Sequence, residues 1–291
     1  MQSVNVDPLN PAGSPSPAAL HDLGVGGVRL VLRPACLPYI ETMRASGLGV
    51  LGVIANESGD PEQYISWPVS MLQVGNEMDG SGPSSWTMTP AEFYALWYWC
   101  AELFPNVPRI IGGLCSGSVA RGEQYLAVEG AAGFAVHPYG RDASSASDLI
   151  AAYREVTGYR NVYITEWNRP ADQIAEYVAM LERETAGGWW FCHSDGMVYP
   201  YGLVTALQEP KPEYHELRRV LHMPEFLFGN AELAAQLGAD VVGEALTDEI
   251  PFSAGNTIQA TSKGAMMYFQ DLPNQGVQGS MFFPKAEPGQ E

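Results

Sequence analysis

Two glutamates stand where apolar runs give out. Met71-Leu72-Gln73-Val74-Gly75-Asn76-Glu77 reads as a short buried strand ending in an amide and a carboxyl group, and Val162-Tyr163-Ile164-Thr165-Glu166-Trp167-Asn168 ends the same way. If both strands belong to one parallel barrel, their C-terminal ends lie on one face, and Glu77 and Glu166 can converge from distant positions in the sequence. Paired carboxyl groups on one face suit cleavage of a glycosidic bond: one protonates the leaving oxygen while the other attacks the anomeric carbon or activates water.

The chain must then supply the other strands. Val4-Asn5-Val6 is a plausible first strand, and Gly27-Val28-Arg29-Leu30-Val31-Leu32 a stronger second one whose single charge is Arg29. Gly49 to Ala55, Arg109 to Leu114, Phe134 to Tyr139 and Gly188 to Cys192 complete the set around the two glutamate strands. These runs are continuous in aliphatic residues, as parallel strands covered on both faces are. Between them lie helical patterns, the clearest opening at Thr89-Pro90-Ala91-Glu92, a capping box with proline in the first turn. Phe93, Leu96, Trp97, Cys100, Ala101 and Phe104 then recur on one stripe, which places Trp97 in the core and leaves Trp99 off the stripe and half-exposed. Other helices are expected near Ala18–Leu23, Tyr39–Ser46, Gly122–Glu129, Ala146–Thr157, Ile174–Thr185 and Tyr214–Leu221.

Eight strands alternating with helices define the expected fold, an α/β protein of the (β/α)8 TIM-barrel type over residues 1–223. An open doubly wound sheet is the alternative; Gly24-Val25-Gly26-Gly27 precedes a strand and opens no helix, so no dinucleotide fingerprint supports it. From about Pro224 the pattern changes. Asn230 to Gly238 reads as a short helix and Thr257–Thr261 with Ala265–Phe269 as a hairpin, so residues 224–291 are expected to form a small C-terminal β-containing module or extension, a candidate carbohydrate- or wall-binding element.

Two glutamates on the fourth and seventh of eight strands, with Asn76 before the first, resemble the large clan of retaining glycoside hydrolases built on (β/α)8 barrels. The resemblance covers about Val4 to Leu221. It implies that Glu77 is the general acid/base, that Glu166 is the nucleophile and that Asn76 holds the sugar 2-hydroxyl. It further implies that Arg29 pairs with the nucleophile. In His137-Pro138-Tyr139 it implies that Tyr139 donates to the nucleophile and that His137 lines the site near the acid. Trp189 or Trp190 would be the strand-eight tryptophan, and Trp190 is favoured. Many clan members carry a histidine near the end of strand three, where this chain has Ala55-Asn56-Glu57, so Asn56 is the candidate for the glycone site. Physically, Glu77 has to be protonated to act as an acid, which burial and the neighbouring Glu166 favour, while Arg29 and Tyr139 hold Glu166 charged.

Other features narrow the ligand. A formal net charge of -18 over 291 residues argues against nucleic acid and anionic membrane surfaces and ranks neutral glycans above acidic ones. Cys36, Cys100, Cys115 and Cys192 are scattered without metal-ligand spacing and read as buried reduced thiols. His21, His193, His215 and His222 share no spacing with acids, which argues against a metal hydrolase, and neither a metal nor a cofactor is expected. Trp86, in the loop after the fourth strand, is placed to stack on a sugar ring. Glu57 is an additional strand-end acid, read as substrate-contacting or solvated, and Asp79 is read as a loop acid and not a catalyst.

No apolar run reaches membrane-span length, and the N-terminus lacks signal-peptide regions, so the chain is read as intracellular, released without one, or a mature form restarted at Met1; an extracellular or phage-released origin is ranked above a cytoplasmic one. The leading expectation is a retaining glycosidase acting on a neutral β-linked polysaccharide or oligosaccharide, with endo action in an open cleft. A phage- or bacteria-derived cell-wall lytic glycosidase and a non-catalytic carbohydrate-binding barrel are the alternatives. Sugar, linkage and oligomeric state are open at this level.

Overall fold

The computed structural model describes residues 2–10, 13–80, 86–158, 161–195 and 202–221, together with 250–253, 256–261, 264–269 and 279–284. The chain divides into two compact units, Met1–Leu221 and His222–Glu291.

In the first unit the aliphatic runs become β1 (Gln2–Asn5), β2 (Gly27–Val31), β3 (Gly49–Ile54), β4 (Met71–Asn76), β5 (Arg109–Leu114), β6 (Gly133–Val136), β7 (Val162–Trp167) and β8 (Gly187–Trp190). They form a closed barrel in sequence order, every pair parallel, with β8 returning to β1 in the register Ser3 opposite Trp189. Helices α1 (Pro17–Leu23), α2 (Leu37–Ala45), α3 (Pro90–Leu103), α4 (Val119–Gly122), α5 (Ala143–Thr157), α6 (Ile174–Glu184) and α7 (Pro212–Leu221) connect or follow the strands. Among the described residues no helix is long and apolar enough to cross a membrane.

Side chains alternate across each strand, so strands β3 to β8 feed two cores. The larger one joins outward residues such as Val28, Val50, Val74, Phe134 and Ile164 to helix residues such as Leu20, Ile40, Trp97, Ile150 and Leu181. A smaller separate cluster of Leu51, Ile110, Ala135 and Tyr163, with Met71 and Trp189 against it, fills one layer of the barrel interior.

Local sequence explains where elements begin. At α3 the Thr89 Oγ1 accepts from the Glu92 amide at 3.3 Å and Glu92 Oε2 accepts from the Thr89 amide at 2.7 Å, the reciprocal cap expected of that sequence. Phe93, Trp97 and Cys100 are its buried stripe, and Trp99 is 38% exposed. Two details differ from the sequence reading. The β5–β6 connection forms only the single turn α4 and a 3-10 turn at Glu123–Tyr125, not a helix from Gly122 to Glu129. There Leu126 and Val128 are buried and the Tyr125 hydroxyl donates to Met88 O at 2.7 Å, contacts that fix the segment outside helical periodicity. β6 stops at Val136, two residues before Pro138, which has no N–H to continue a ladder.

In the second unit β9 (Ile250–Ser253), β10 (Asn256–Thr261), β11 (Gly264–Phe269) and β12 (Gly279–Pro284) make an antiparallel sheet in the order β12-β11-β10-β9. The expected hairpin is the β10–β11 pair, with Thr261 opposite Gly264, and the sheet extends it by a strand on each side. The expected helix at Asn230–Gly238 lies outside the described residues.

Candidate active site

Above the apolar layer the barrel interior turns polar. Arg29 on β2 is 4% exposed, and its guanidinium is held on several sides. Nε donates to Gln73 Oε1 at 3.0 Å, Nη1 to Asn5 Oδ1 at 2.5 Å and to Glu166 Oε1 at 2.8 Å, and Nη2 to Asn76 Oδ1 at 2.7 Å. A buried guanidinium needs both an anion and acceptors for its remaining N–H groups, and Glu166 with three amides supplies them. Asn5 in turn donates from Nδ2 to Thr165 O at 2.8 Å, tying β1 to β7 across the site.

Consecutive strand residues normally face opposite sides, yet here two neighbouring pairs face the same mouth. At the end of β4, Gly75 has φ +82 and Glu77 φ +54. Gly75 must be glycine: a Cβ there would lie 2.2 Å from Met78 Sδ, in a backbone region that disfavours side chains. This break in the pleat lets Asn76 meet Arg29 while Glu77 meets His137. A positive φ at a non-glycine residue is a conformation concentrated at functional sites. On β7 the pairing with β8 shifts register between Ile164 and Trp167, and Thr165 and Glu166 both reach the interior network.

His137 links the two acids. Its Nδ1 lies 3.0 Å from Glu77 Oε1, and its Nε2 lies 3.0 Å from Thr165 Oγ1 and 3.7 Å from Glu166 Oε1. The ring occupies the space where Gly113 would carry a side chain, since a Cβ on Gly113 would fall 1.9 Å from Nε2. On the far side of Glu166, the Tyr139 hydroxyl donates to Oε2. Although Tyr139 is 40% exposed as a residue, burial at its hydroxyl end, and then the Glu166 carboxylate it faces, push the phenol well above its ordinary value, so it is a neutral donor.

Ligand atoms of Glu77, His137 and Glu166 all lie within 4.8 Å of one another. The three could hold a metal ion by spacing alone. The chemistry opposes it: the Arg29 cation already neutralises Glu166, and both ring nitrogens of His137 are engaged in the hydrogen bonds above.

Arg29, Asn76, Glu77, Tyr139 and Glu166 line a cleft of about 890 Å³ together with Asn56, Glu57, Trp86, Asn168, Phe191, Cys192 and His193, while His137, 2% exposed, is not part of its lining. Asn56 and Trp86 therefore stand at the cleft with the glutamates, and the Trp86 amide donates to Asn76 O at 3.1 Å. Asp79 is a brace: it accepts from the amides of Cys115 at 2.9 Å and Ser116 at 3.3 Å, joining the loops after β4 and β5. Glu57 is exposed on the cleft rim.

The structure does not bring Trp190 into this cleft. It is 1% exposed and packs edge-on against Trp167 at 4.7 Å, on the outward side of β8. Trp189 faces Tyr163 in the interior layer below, and the next inward residue, Phe191, lines the cleft and meets the Tyr139 ring edge-on at 6.3 Å. The reason is register: Trp189 pairs with Ser3, two residues before the inward-facing Asn5. The thiols also differ in part from the expectation. No disulfide joins them, Cys36 and Cys100 are buried, but Cys115 and Cys192 are half-buried and line the cleft. Asn5, Gln73, Thr165 and Phe191 escaped the sequence reading; the first three are single polar residues inside strands, and that interruption was the available signal.

A closed eight-strand parallel barrel with acids at the ends of β4 and β7 defines the class of fold. No protein-family profile and no curated protein matches the sequence. Solved structures do match. A GH2 β-galacturonidase from Eisenbergiella tayi bound to galacturonate is similar at 14% identity and TM-score 0.58, over 75% of this chain and 50% of that one. A GH128 subgroup I endo-β-1,3-glucanase from Amycolatopsis mediterranei is similar at 15% identity and TM-score 0.57, over 75% of this chain and 99% of that one. A GH5 enzyme from Bifidobacterium longum, in complex with Manβ1-4GlcNAc, is similar at 12% identity and TM-score 0.53, over 70% and 71%. The chain spans about half the length of the GH2 enzyme. The fold is the (β/α)8 barrel on which these glycoside hydrolases are built.

Proposed function

We propose that this protein is a glycoside hydrolase that cleaves β-linked glycans with retention of anomeric configuration, Glu77 serving as acid/base and Glu166 as nucleophile. The observation that carries the reading is the close approach of the two carboxyl groups, with oxygens within 4.8 Å, in opposite surroundings. Retaining enzymes place the pair about 5–5.5 Å apart, while inverting ones leave roughly 6.5–9.5 Å for a water. Glu166 is flanked by a guanidinium and a phenol donor, the setting of an ionised nucleophile. Glu77 is 9% exposed and its Oε1 lies 3.0 Å from the His137 imidazole, a buried setting beside the second carboxyl group that suits a general acid.

In this mechanism Glu166 attacks the anomeric carbon as Glu77 protonates the departing oxygen. Water then displaces Glu166 from the sugar, with Glu77 taking its proton. Asn76 has its amide oxygen committed to Arg29 and Gln73, which leaves its NH2 to donate to the sugar, in keeping with a 2-hydroxyl partner. Trp86 and Phe191 supply aromatic faces for the sugar rings and Asn56 a polar contact. The substrate is a polysaccharide or oligosaccharide, and the second unit is proposed to bind glycan or cell wall. The test is a panel of aryl β-glycosides and β-linked polysaccharides, peptidoglycan included, with the product anomer followed by NMR at early times. Retained β-product from one substrate, lost in Glu77→Gln, supports the reading; inverted α-product contradicts it.

A further inference from the structure

Thr165 is fully buried, and its hydroxyl has one hydrogen-bond partner among the described residues, His137 Nε2 at 3.0 Å. A hydroxyl carries one proton and two lone pairs, and a neutral imidazole carries one proton on one of two nitrogens. Two arrangements are therefore available. If Nε2–H donated to Oγ1, the threonine proton would be buried with nothing to accept it, a costly state. If Oγ1–H donates to Nε2, every proton at that contact is used. The second arrangement puts the imidazole proton on Nδ1, which faces Glu77 Oε1 at 3.0 Å.

That proton decides which oxygen of Glu77 can work. An Nε2–H imidazole would present a lone pair to Glu77, and the carboxyl proton would turn toward the ring and be held there. An Nδ1–H imidazole donates to Oε1 and leaves the carboxyl proton on Oε2. We propose that Thr165 is a positioning residue that fixes His137 as the Nδ1–H tautomer, so that Glu77 delivers and recovers its proton at Oε2. This rests on the glycosidase reading above for what Oε2 does, and on geometry alone for the tautomer.

The other charged groups facing the ring fit a neutral imidazole. Glu166 Oε1 is 3.7 Å from Nε2, but Arg29 already pairs with that oxygen at 2.8 Å, so no imidazolium is required to balance it. The Tyr139 ring meets His137 edge-on at 5.9 Å and its phenol is neutral. During turnover the Oε2 proton passes to the leaving oxygen as the bond from that oxygen to the anomeric carbon breaks and the bond to Glu166 forms. In the second half a water proton returns to Oε2, the water oxygen bonds the anomeric carbon, and the Glu166 bond breaks. His137 keeps its own proton throughout.

The test reads the tautomer directly. The full chain is labelled with 15N-histidine, and long-range proton–nitrogen correlations are recorded at neutral pH, with His137 assigned by its loss in His137→Gln. The expected pattern is a protonated Nδ1 and a bare Nε2 in the wild type and in Thr165→Ser, and a changed tautomer population in Thr165→Val. A wild-type ring protonated at Nε2, or a Thr165→Val ring with the wild-type pattern, would overturn the proposal. Kinetics add a readout that packing alone does not move. Thr165→Val should lose roughly ten- to hundredfold in kcat/KM on aryl glycosides with poor leaving groups, and stay within about twofold on 2,4-dinitrophenyl glycosides, which need no acid. Equal losses on both would remove the link to Glu77. A wild type with the Nδ1–H pattern that cleaves no glycoside would support the tautomer and overturn the glycosidase reading, which keeps the two failures distinct.

Discussion

Arg29 and Glu166 form a buried ion pair, Nη1 to Oε1, at 2.8 Å, and the same guanidinium reaches Asn76 through Nη2 at 2.7 Å. One cation thus spans the ends of β4 and β7, the two strands that carry the acids. Removing it strands the Glu166 charge inside the barrel. Arg29→Met is expected to destabilise the first unit by about 3–5 kcal/mol, the usual cost of breaking a buried pair. Arg29→Lys should keep part of the stability and still lose activity, because an ammonium cannot hold Glu166, Asn76, Asn5 and Gln73 together. Thermal melts and kcat/KM of the two variants check this.

Gly113 makes room for His137. Gly113→Ala would put a Cβ 1.9 Å from Nε2 and must displace the ring that Glu77 leans on. A loss of activity of about a hundredfold or more is expected, on the scale of a general-acid contribution. Gly47→Ala, where a Cβ meets nothing within 4 Å but φ is +81, is the control for backbone strain without loss of the site. Equal activity in Gly113→Ala and wild type would contradict the geometry.

Tyr139 should act as a hydrogen-bond donor only. Its hydroxyl is raised well above the ordinary phenol value, so it does not ionise in the working range and cannot set the alkaline limb of a pH–rate profile. Tyr139→Phe removes one charge-assisted bond to Glu166, worth about 1.5–3 kcal/mol, which corresponds to roughly ten- to hundredfold in rate. The alkaline limb of kcat/KM should keep its position in that variant.

Acid stability should carry the signature of His193. Burial holds its imidazole down at about 4, whereas an unfolded histidine titrates near 6.5. Between those values the unfolded chain binds the extra proton, so stability rises with pH there. The contribution is complete above pH ~6.5 and is lost as pH falls toward 4, with a total of about 3 kcal/mol if unfolding is two-state. His193→Gln should flatten the melting temperature across that window, which a series of thermal melts from pH 4 to 8 would show.

Much of this was legible in the sequence for a simple reason. An acid that ends an aliphatic run is conspicuous, and Glu77 and Glu166 both do so; the capping box at Thr89 and the stripe of Phe93, Trp97 and Cys100 likewise announce α3 and its buried face. Asn5, Gln73 and Thr165 were harder, because a lone amide or hydroxyl inside an apolar strand has no spacing signature, and its partner Arg29 or His137 arrives from another strand. The tryptophan choice failed because alternation gives two answers until one residue is anchored. The Ser3–Trp189 pairing anchors it, and pairing between the first and last strands is not written in either segment alone.

The most direct measurement of the central claim is azide rescue of Glu166→Ala. The account predicts that the wild type cleaves an activated aryl β-glycoside with retention, that the variant loses this activity, and that azide restores turnover and yields the α-glycosyl azide, because azide enters the space the carboxylate vacates. A Glu166→Ala variant that turns over at the wild-type rate, or that azide rescues only as the β-glycosyl azide, would contradict Glu166 as the nucleophile.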